Sequence, residues 1–498
     1  MKIKELISKK NLIQFLVIFF VSVVVCNGFI RMHYTTDTYK IADEGYINYA
    51  MNWSLKDGRI FMALFLYICN FFKLPINLVN FLFTLFGIFF SCIAVMLLKK
   101  IIVNLNEIKK SKSEVVILIL SYFAIFNFMY IEAIYFLEII IISLSLLFYL
   151  VAIDSFINMK NNSLVKPLIF SVLGVMAYQG TISFFIATAM FLLILRNNKI
   201  NKAVLVDILG IILITVITVL TNIVLVKYIC DILDLSQNRF NIGDIANNVL
   251  YIFNNFISIL TVNCGIMHTG IYLIFLTILI IFEITYFKIN ELDFIKHLIR
   301  ILFIIVFTIG AAFSIFLATT SSFDCGRMYV AIGALPSFLL VYLCCNSGIL
   351  EIQNSFEKFL YLIIAIWTAV NIYTYFARIH ESRVKNDLEK EYCEKIYEEC
   401  IENNYNLDEA CILQVRFDAN EIYFDELKTK NKMTINEIRG LESAISGFNV
   451  NTKCELKEVS SDEVREKYFE KLENGDTGIN ETYVQYIDGI LVMPVFIW

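Results

Sequence analysis

PLIFSVLGVMAYQGTISFFIATAMFLLIL, residues Pro167 to Leu195, decides how this chain folds. A helix rises 1.5 Å per residue, so a hydrocarbon core of about 30 Å is crossed by about 20 residues. The run is too long for one such crossing, and Tyr178-Gln179-Gly180 interrupts it near its middle. Read as one span, it carries Arg196, Lys199 and Lys202 to the side opposite Lys160 and Lys166; read as two short spans, it brings them back. Loops rich in Lys and Arg stay in the cytoplasm, so two short spans meeting at Tyr178 are expected.

The same count extends in both directions. The chain has 498 residues, 58% hydrophobic and 17% charged, with a mean hydropathy of +0.69. A soluble protein of that composition would expose too much apolar surface, so most of it is expected to face lipid. Leu12 to Ile30 follows Lys2, Lys4, Lys9 and Lys10 and ends without a small-residue cleavage site. It reads as a first transmembrane helix with a cytoplasmic N-terminus, not a cleaved signal peptide. Spans are then expected over Ile76–Leu98, Val115–Ile131, Ala133–Ile153, the Pro167–Leu195 pair, Ala203–Tyr228, Met267–Phe287, Ile301–Thr319, Met328–Cys345 and Phe359–Ala377. Arg59 to Phe72 is apolar but too short to cross, and counting it would invert every later loop. A helix in the interface, or a re-entrant one, fits better. The outer segment Ile229 to Cys264 has room for an amphipathic helix.

The expected fold class is thus an all-α polytopic membrane protein of about 11 transmembrane helices, residues 1–378, with a small α+β domain at 379–498. The charge divides the same way. From Ile379 onward there are 14 Lys and Arg against 26 Asp and Glu, a net −12 that leaves +7 for the rest of a chain totalling −5. The count of spans puts this acidic tail outside. One span more or fewer moves it inside, and Arg378, Arg383 and Lys385 just past the last span weigh against the outside. Within the tail, Thr482–Ile487 and Ile490–Phe496 flank Asp488-Gly489 as a β-hairpin. Cys393, Cys400, Cys411 and Cys454 are read as free thiols first and disulfides second. No basic aromatic surface for nucleic acid stands out. The richness in Ile, Asn, Lys and Phe suits an AT-rich bacterial genome.

Charges beside a bilayer are costly to place and mark candidate sites. Asp37, Asp43 and Glu44 lie just beyond the first span and are candidate general bases for an acceptor hydroxyl; Arg59 nearby is a candidate phosphate ligand. In a solvated loop the same acids are ordinary. Glu132 and Glu138 flank the turn expected between the third and fourth spans, with Glu138 about one and a half turns inside an apolar helix, a place for substrate or for a structural hydrogen bond. Tyr178 and Gln179 offer an aromatic face and an amide suited to sugar hydroxyls, or simply a polar helix break. Asp324 and Arg327 mark the outer mouth of the ninth and tenth spans, where Arg327 can grip a phosphate or pair with Asp324. Arg239 is a weaker candidate of the same kind. His33, His268, His297 and His380 lack ligand spacing and read as surface or interface residues; no metal site is indicated.

Asp37-Thr38-Tyr39, Asp43-Glu44-Gly45-Tyr46, Trp53 and Asp57-Gly58-Arg59-Ile60-Phe61, placed after one transmembrane helix, resemble the Gtr-type membrane glucosyltransferases of the GT-C superfamily. The Tyr178-Gln179 break and Arg327 in a late outer loop fit as well, and the resemblance spans Leu12 to Tyr375. Family members often carry two adjacent Asp in the first loop, where this chain has Asp43-Glu44 and a separate Asp37. The resemblance implies a bacterial plasma-membrane enzyme with no further cofactor. It would transfer a hexose, usually glucose, from a polyprenyl-phosphate sugar to a surface polysaccharide acceptor, with a flippase and a synthase supplying the donor. A surface-glycan polymerase and a polysaccharide flippase or transporter are the rival readings. Transporters, however, keep their charges near the midplane between repeated halves, whereas these gather at the outer rim.

Overall fold

The computed structural model describes residues 9–105, 111–159, 163–197, 202–236, 245–262, 267, 270–290, 292–314, 325–350, 355–415 and 443–496. Long apolar runs with few prolines become helices because helical backbone satisfies its own polar groups where water is excluded. In chain order these are α1 (Lys9–Val25), α2 (Thr36–Glu44), α3 (Ile60–Phe71), α4 (Ile76–Leu105), α5 (Ser111–Ile125), α6 (Tyr130–Tyr135), α7 (Ile139–Ile157), α8 (Val165–Ala177), α9 (Ile182–Arg196), α10 (Lys202–Leu233), α11 (Ile245–Val262), α12 (Ile271–Ile289), α13 (Phe294–Ser314), α14 (Val330–Asn346) and α15 (Ser355–Glu402). Among the described residues seven helices are long and apolar enough to cross a membrane: α4, α7, α9 with the turn before it, α10, α12, α13 and α15. The apolar helices α3, α5, α8 and α14 are shorter.

The break at Tyr178 folds the chain back. Tyr178 is extended (φ −155°, ψ 118°), and Ser145 Oγ of α7 lies 2.7 Å from the Gly174 carbonyl oxygen and 3.2 Å from that of Tyr178. Gly174 lets α8 approach this closely, since a Cβ there would stand 2.7 Å from the Tyr149 ring. Helix α9 then runs back along α7, with Phe185 against Tyr149 and Arg196 donating to the Ile157 carbonyl at 3.3 Å. Arg196 thus returns to the end of the bundle from which α8 started, as the distribution of positive charge requires.

The turn between the third and fourth expected spans is built differently from the expectation. Asn127 Oδ1 accepts from the backbone N–H groups of Met129 and Tyr130, and its amide donates to the Val330 carbonyl. A side chain that caps in this way ends one helix and starts another. Helix α5 therefore stops at Ile125, α6 intervenes, and Glu138 stands at the N-terminal cap of α7 rather than inside a helix. The histidine assignment also changes. His33 and His297 are buried, His33 with Nε2 2.6 Å from the Tyr135 carbonyl oxygen and His297 with Nδ1 2.7 Å from the Tyr342 hydroxyl. His380 is exposed and His268 lies outside the described residues.

Helix α15 passes Ile379 without a break and, at about 72 Å for its length, carries the chain from the bundle into the C-terminal domain. That domain adds β1 (Glu409–Val415), α16 (Ala444–Thr452), β2 (Lys457–Glu458), α17 (Asp462–Glu473), β3 (Gln485–Ile487) and β4 (Ile490–Phe496), in sheet order β2-β1-β4-β3. Strand β1 runs parallel to β2 and β4; β3 and β4 form the expected antiparallel hairpin at Asp488-Gly489, both in the left-handed region that such a turn needs. One face of the sheet packs on Cys393, Ile396 and Cys400 of α15 and on Phe448 of α16, the other on Val464 and Tyr468 of α17. Cys393, Cys400, Cys411 and Cys454 are free thiols.

Candidate functional site

The first loop builds one wall of the site. Thr35 Oγ1 accepts from the Thr38 N–H and starts α2, which puts Asp37 in its first turn, where the helix dipole favours a carboxylate. Gly45 ends the helix at φ +86°. The chain continues through a helical turn, Tyr46–Tyr49, into a π-helical turn, Ala50–Leu55, a widened geometry common near functional sites. The Tyr49 hydroxyl hydrogen-bonds to Asp37; burial first, then the fields of Asp37 and Glu138, hold Tyr49 well above the usual tyrosine range, so it stays a neutral donor. Gly58, at φ +74°, lets the chain turn under Gln179, whose Nε2 donates to the Gly58 carbonyl at 2.6 Å. A Cβ at Gly58 would meet that same Nε2 at 2.6 Å.

Two arginines and four carboxylates meet there. The Arg59 guanidinium pairs with Glu138 through Nη1 and lies 3.3 Å from Asp57 Oδ2 through Nη2, with the Tyr178 ring 5.6 Å away. Glu138 has no exposed surface. On the far side, the Arg327 N–H donates to Glu132 Oε2 at 3.2 Å, its Nη1 stands 3.9 Å from Glu132 Oε1, and its guanidinium lies 4.0 Å over the Phe136 ring. Among the described residues, Nε and Nη1 of Arg327 are buried and make no hydrogen bond. Asp37 and Arg327 both act electrostatically on Glu138, which ties the two walls together.

Seven of the residues singled out from sequence thus come together: Asp37, Arg59, Glu132, Glu138, Tyr178, Gln179 and Arg327. Asp43 and Glu44 do not join them. They sit at the other end of α2, about 10 Å along its axis from Asp37. Asp43 Oδ1 accepts from Asn449 of the C-terminal domain at 3.1 Å, and Glu44 faces Lys40 and Trp53, with burial raising its carboxyl above the usual range. Arg239 and Asp324 lie outside the described residues. Tyr49, Asp57 and Phe136 belong to the site and were not singled out. For Asp57 the signal was present, because a glycine between an acid and a base lets both side chains turn to one side.

The two arginines have different capacities. Arg59 is committed to two carboxylates, whereas Nε and Nη1 of Arg327 keep hydrogen-bonding capacity that no described residue uses. The described residues place no ion-pair partner beside Asp37, which is half-buried. No three His, Cys, Asp or Glu side chains among the described residues are placed to hold one metal ion. Comparison with family models, curated proteins and solved structures finds no match to this chain.

Proposed function

We propose that this chain is an inverting membrane glycosyltransferase. It would move a hexose, glucose foremost, from a polyprenyl-phosphate carrier to a surface glycan on the outer face of a bacterial plasma membrane. The reading includes eleven spans in a GT-C-like arrangement, a cytoplasmic N-terminus, and the first loop and C-terminal domain outside. One observation carries it: Asp37 and Arg327, far apart in sequence, both act on the buried Glu138 within one polar cluster. Beside the cluster, α3 follows directly on Arg59 and exposes Leu64, Ile68 and Phe71, an apolar face for a lipid chain.

In this mechanism the acceptor hydroxyl oxygen bonds to the anomeric carbon as the bond from that carbon to the phosphate oxygen breaks. The hydroxyl proton passes to Asp37. The electron pair leaves with polyprenyl phosphate, whose developing charge is met by Arg327, while Arg59 stays fixed between Glu138 and Asp57. A single displacement of this kind inverts the anomeric centre. The test is glycan analysis of the surface polymer with and without the chain, and with Asp37→Asn. Loss of one hexose from an otherwise intact polymer, in both the deletion and the variant, is the expected result. Loss of the whole polymer points to a flippase or polymerase instead, and an unchanged polymer refutes the proposal.

A further inference from the structure

The C-terminal domain touches α2 at residues that the reaction does not use. Tyr39, two residues after Asp37, has no exposed surface. Its ring stacks on Tyr34 at 4.6 Å, its hydroxyl donates to Glu389 of α15 at 3.3 Å, and it accepts from Asn451 of α16 at 3.2 Å. Four residues further on, Asp43 accepts from Asn449. Asn449 is itself held by Leu456, accepting from its N–H at 2.9 Å and donating to its carbonyl at 3.2 Å. Asn386 of α15 accepts from the Tyr34 N–H at 2.8 Å and donates to its carbonyl at 3.0 Å, just ahead of the helix.

Helix α2 has 9 residues, fewer than the roughly 12 to 15 at which an isolated helix becomes even marginally stable in water. Its order must come from tertiary contacts. The first loop supplies one, Lys40 over the Trp53 ring at 3.3 Å. The contacts at Tyr39 and Asp43, one on each side of Lys40, come from the C-terminal domain.

We propose that the C-terminal domain is a positioning element that holds α2 in register and so places Asp37 for proton transfer. This rests on the reading of Asp37 as the base. The phosphate-binding side of the site, Arg327 with Glu132 and Phe136, is carried by other elements, and the contact between Asp43 and Asn449 lies at the far end of α2 from it. Loosening α2 therefore slows the chemical step and leaves donor binding alone.

The experiment uses the full-length chain with Asp43→Lys, Asn449→Asp and the two combined. Each single change sets like groups against each other, an ammonium against an amide donor or a carboxylate against a carboxylate. The double variant restores attraction as an ion pair. Each single variant is expected to lower kcat ten- to a hundredfold, the order of loss that an ångström-scale misplacement gives, with donor KM held within about twofold. Amide exchange in residues 36–44 should quicken while residues 60–71 exchange as before, and the double variant should recover both readouts. Wild-type kcat or wild-type exchange in the single variants overturns the proposal, as does a change confined to KM. A wild-type chain with no transferase activity refutes the assigned reaction instead, and exchange over 36–44 still decides whether the domain orders α2.

Discussion

Replacing Glu138 by Gln tests whether the Arg59 pair is a structural anchor. Glu138 has no exposed surface and Arg59 is 8% exposed, so both charges are desolvated and each depends on the other. Removing one partner of such a pair costs about 3–5 kcal/mol, because the other is left buried and uncompensated. After Glu138→Gln, Arg59 keeps Asp57 at 3.3 Å, which puts the cost at the low end, about 3 kcal/mol. Arg59→Met should be worse, about 5 kcal/mol, since it takes the guanidinium from the buried Glu138 and leaves that carboxylate in the fields of Asp37 and Asp57. The combined Arg59→Met/Glu138→Leu variant removes both members of the buried pair and should fall well below the sum of the single changes.

The free cysteines supply the assay. Cys69, Cys92 and Cys325 are buried thiols that a thiol-reactive fluorophore reaches only when the bundle opens. A thermal scan of purified protein in detergent should rank wild type above the double variant, then Glu138→Gln, then Arg59→Met. A Glu138→Gln protein that melts with the wild type would refute the anchor. It would leave Arg59 able to let go of Glu138 and take a phosphate itself.

Three further outcomes are expected. Asp37→Asn should keep fold and donor KM while cutting transfer by about 10² to 10⁴, the usual worth of a general base, as measured by steady-state kinetics with a short-chain polyprenyl-phosphate sugar. Arg327→Lys should raise donor KM and lower kcat despite keeping its charge, because an ammonium cannot offer the planar fork; unchanged kinetics would remove Arg327 from donor binding. Burial lowers His33 from its ordinary 6.5, so its stabilising contribution is full above that value and is lost as pH falls from 6.5 towards the folded value. Wild type should therefore lose thermal stability between neutral and mildly acidic pH by more than His33→Gln does, and equal losses would contradict this.

What the sequence made legible follows from physics that is local. A break in an overlong apolar run, an acid or base at the edge of a span, and Asp-Gly between two β-prone runs all show within a few residues. Tyr178, Arg59, Glu138 and the hairpin at Asp488-Gly489 could be read for that reason. Arg378 and Lys385 could not. They look like solvated charges past a span, yet the Arg378 guanidinium lies 4.7 Å over the Tyr135 ring and the Lys385 ammonium donates to the Tyr135 hydroxyl at 2.5 Å. Nothing near Arg378 in sequence announces a partner more than 200 residues away. The contact of Asn449 with Asp43 was hidden in the same way, so nothing near Asp43 in sequence marked it as part of a domain contact. Asn127 is a different failure: its capping role competes with helix propensity, and an apolar run around it conceals the competition.

The arrangement of charge explains why one arginine is held and the other left open. Four carboxylates around two guanidinium groups would repel a phosphate if all six side chains were equally free. At an effective dielectric of 20, unit charges about 4 Å apart interact by about 4 kcal/mol, so the geometry of each pair decides what an arriving anion meets. Glu138 and Asp57 spend their charge on Arg59. Glu132 stands 3.9 Å from Nη1 of Arg327, too far for a hydrogen bond, and its Oε2 is occupied by the Arg327 backbone N–H. In the proposed reading a phosphate at Arg327 would gain direct hydrogen bonds that Glu132 does not make, at Nε and Nη1, which no described residue occupies. Asp37 keeps its neutral neighbour Tyr49 and is, of the four, the carboxylate without an arginine among the described residues, as the proposed role of base requires.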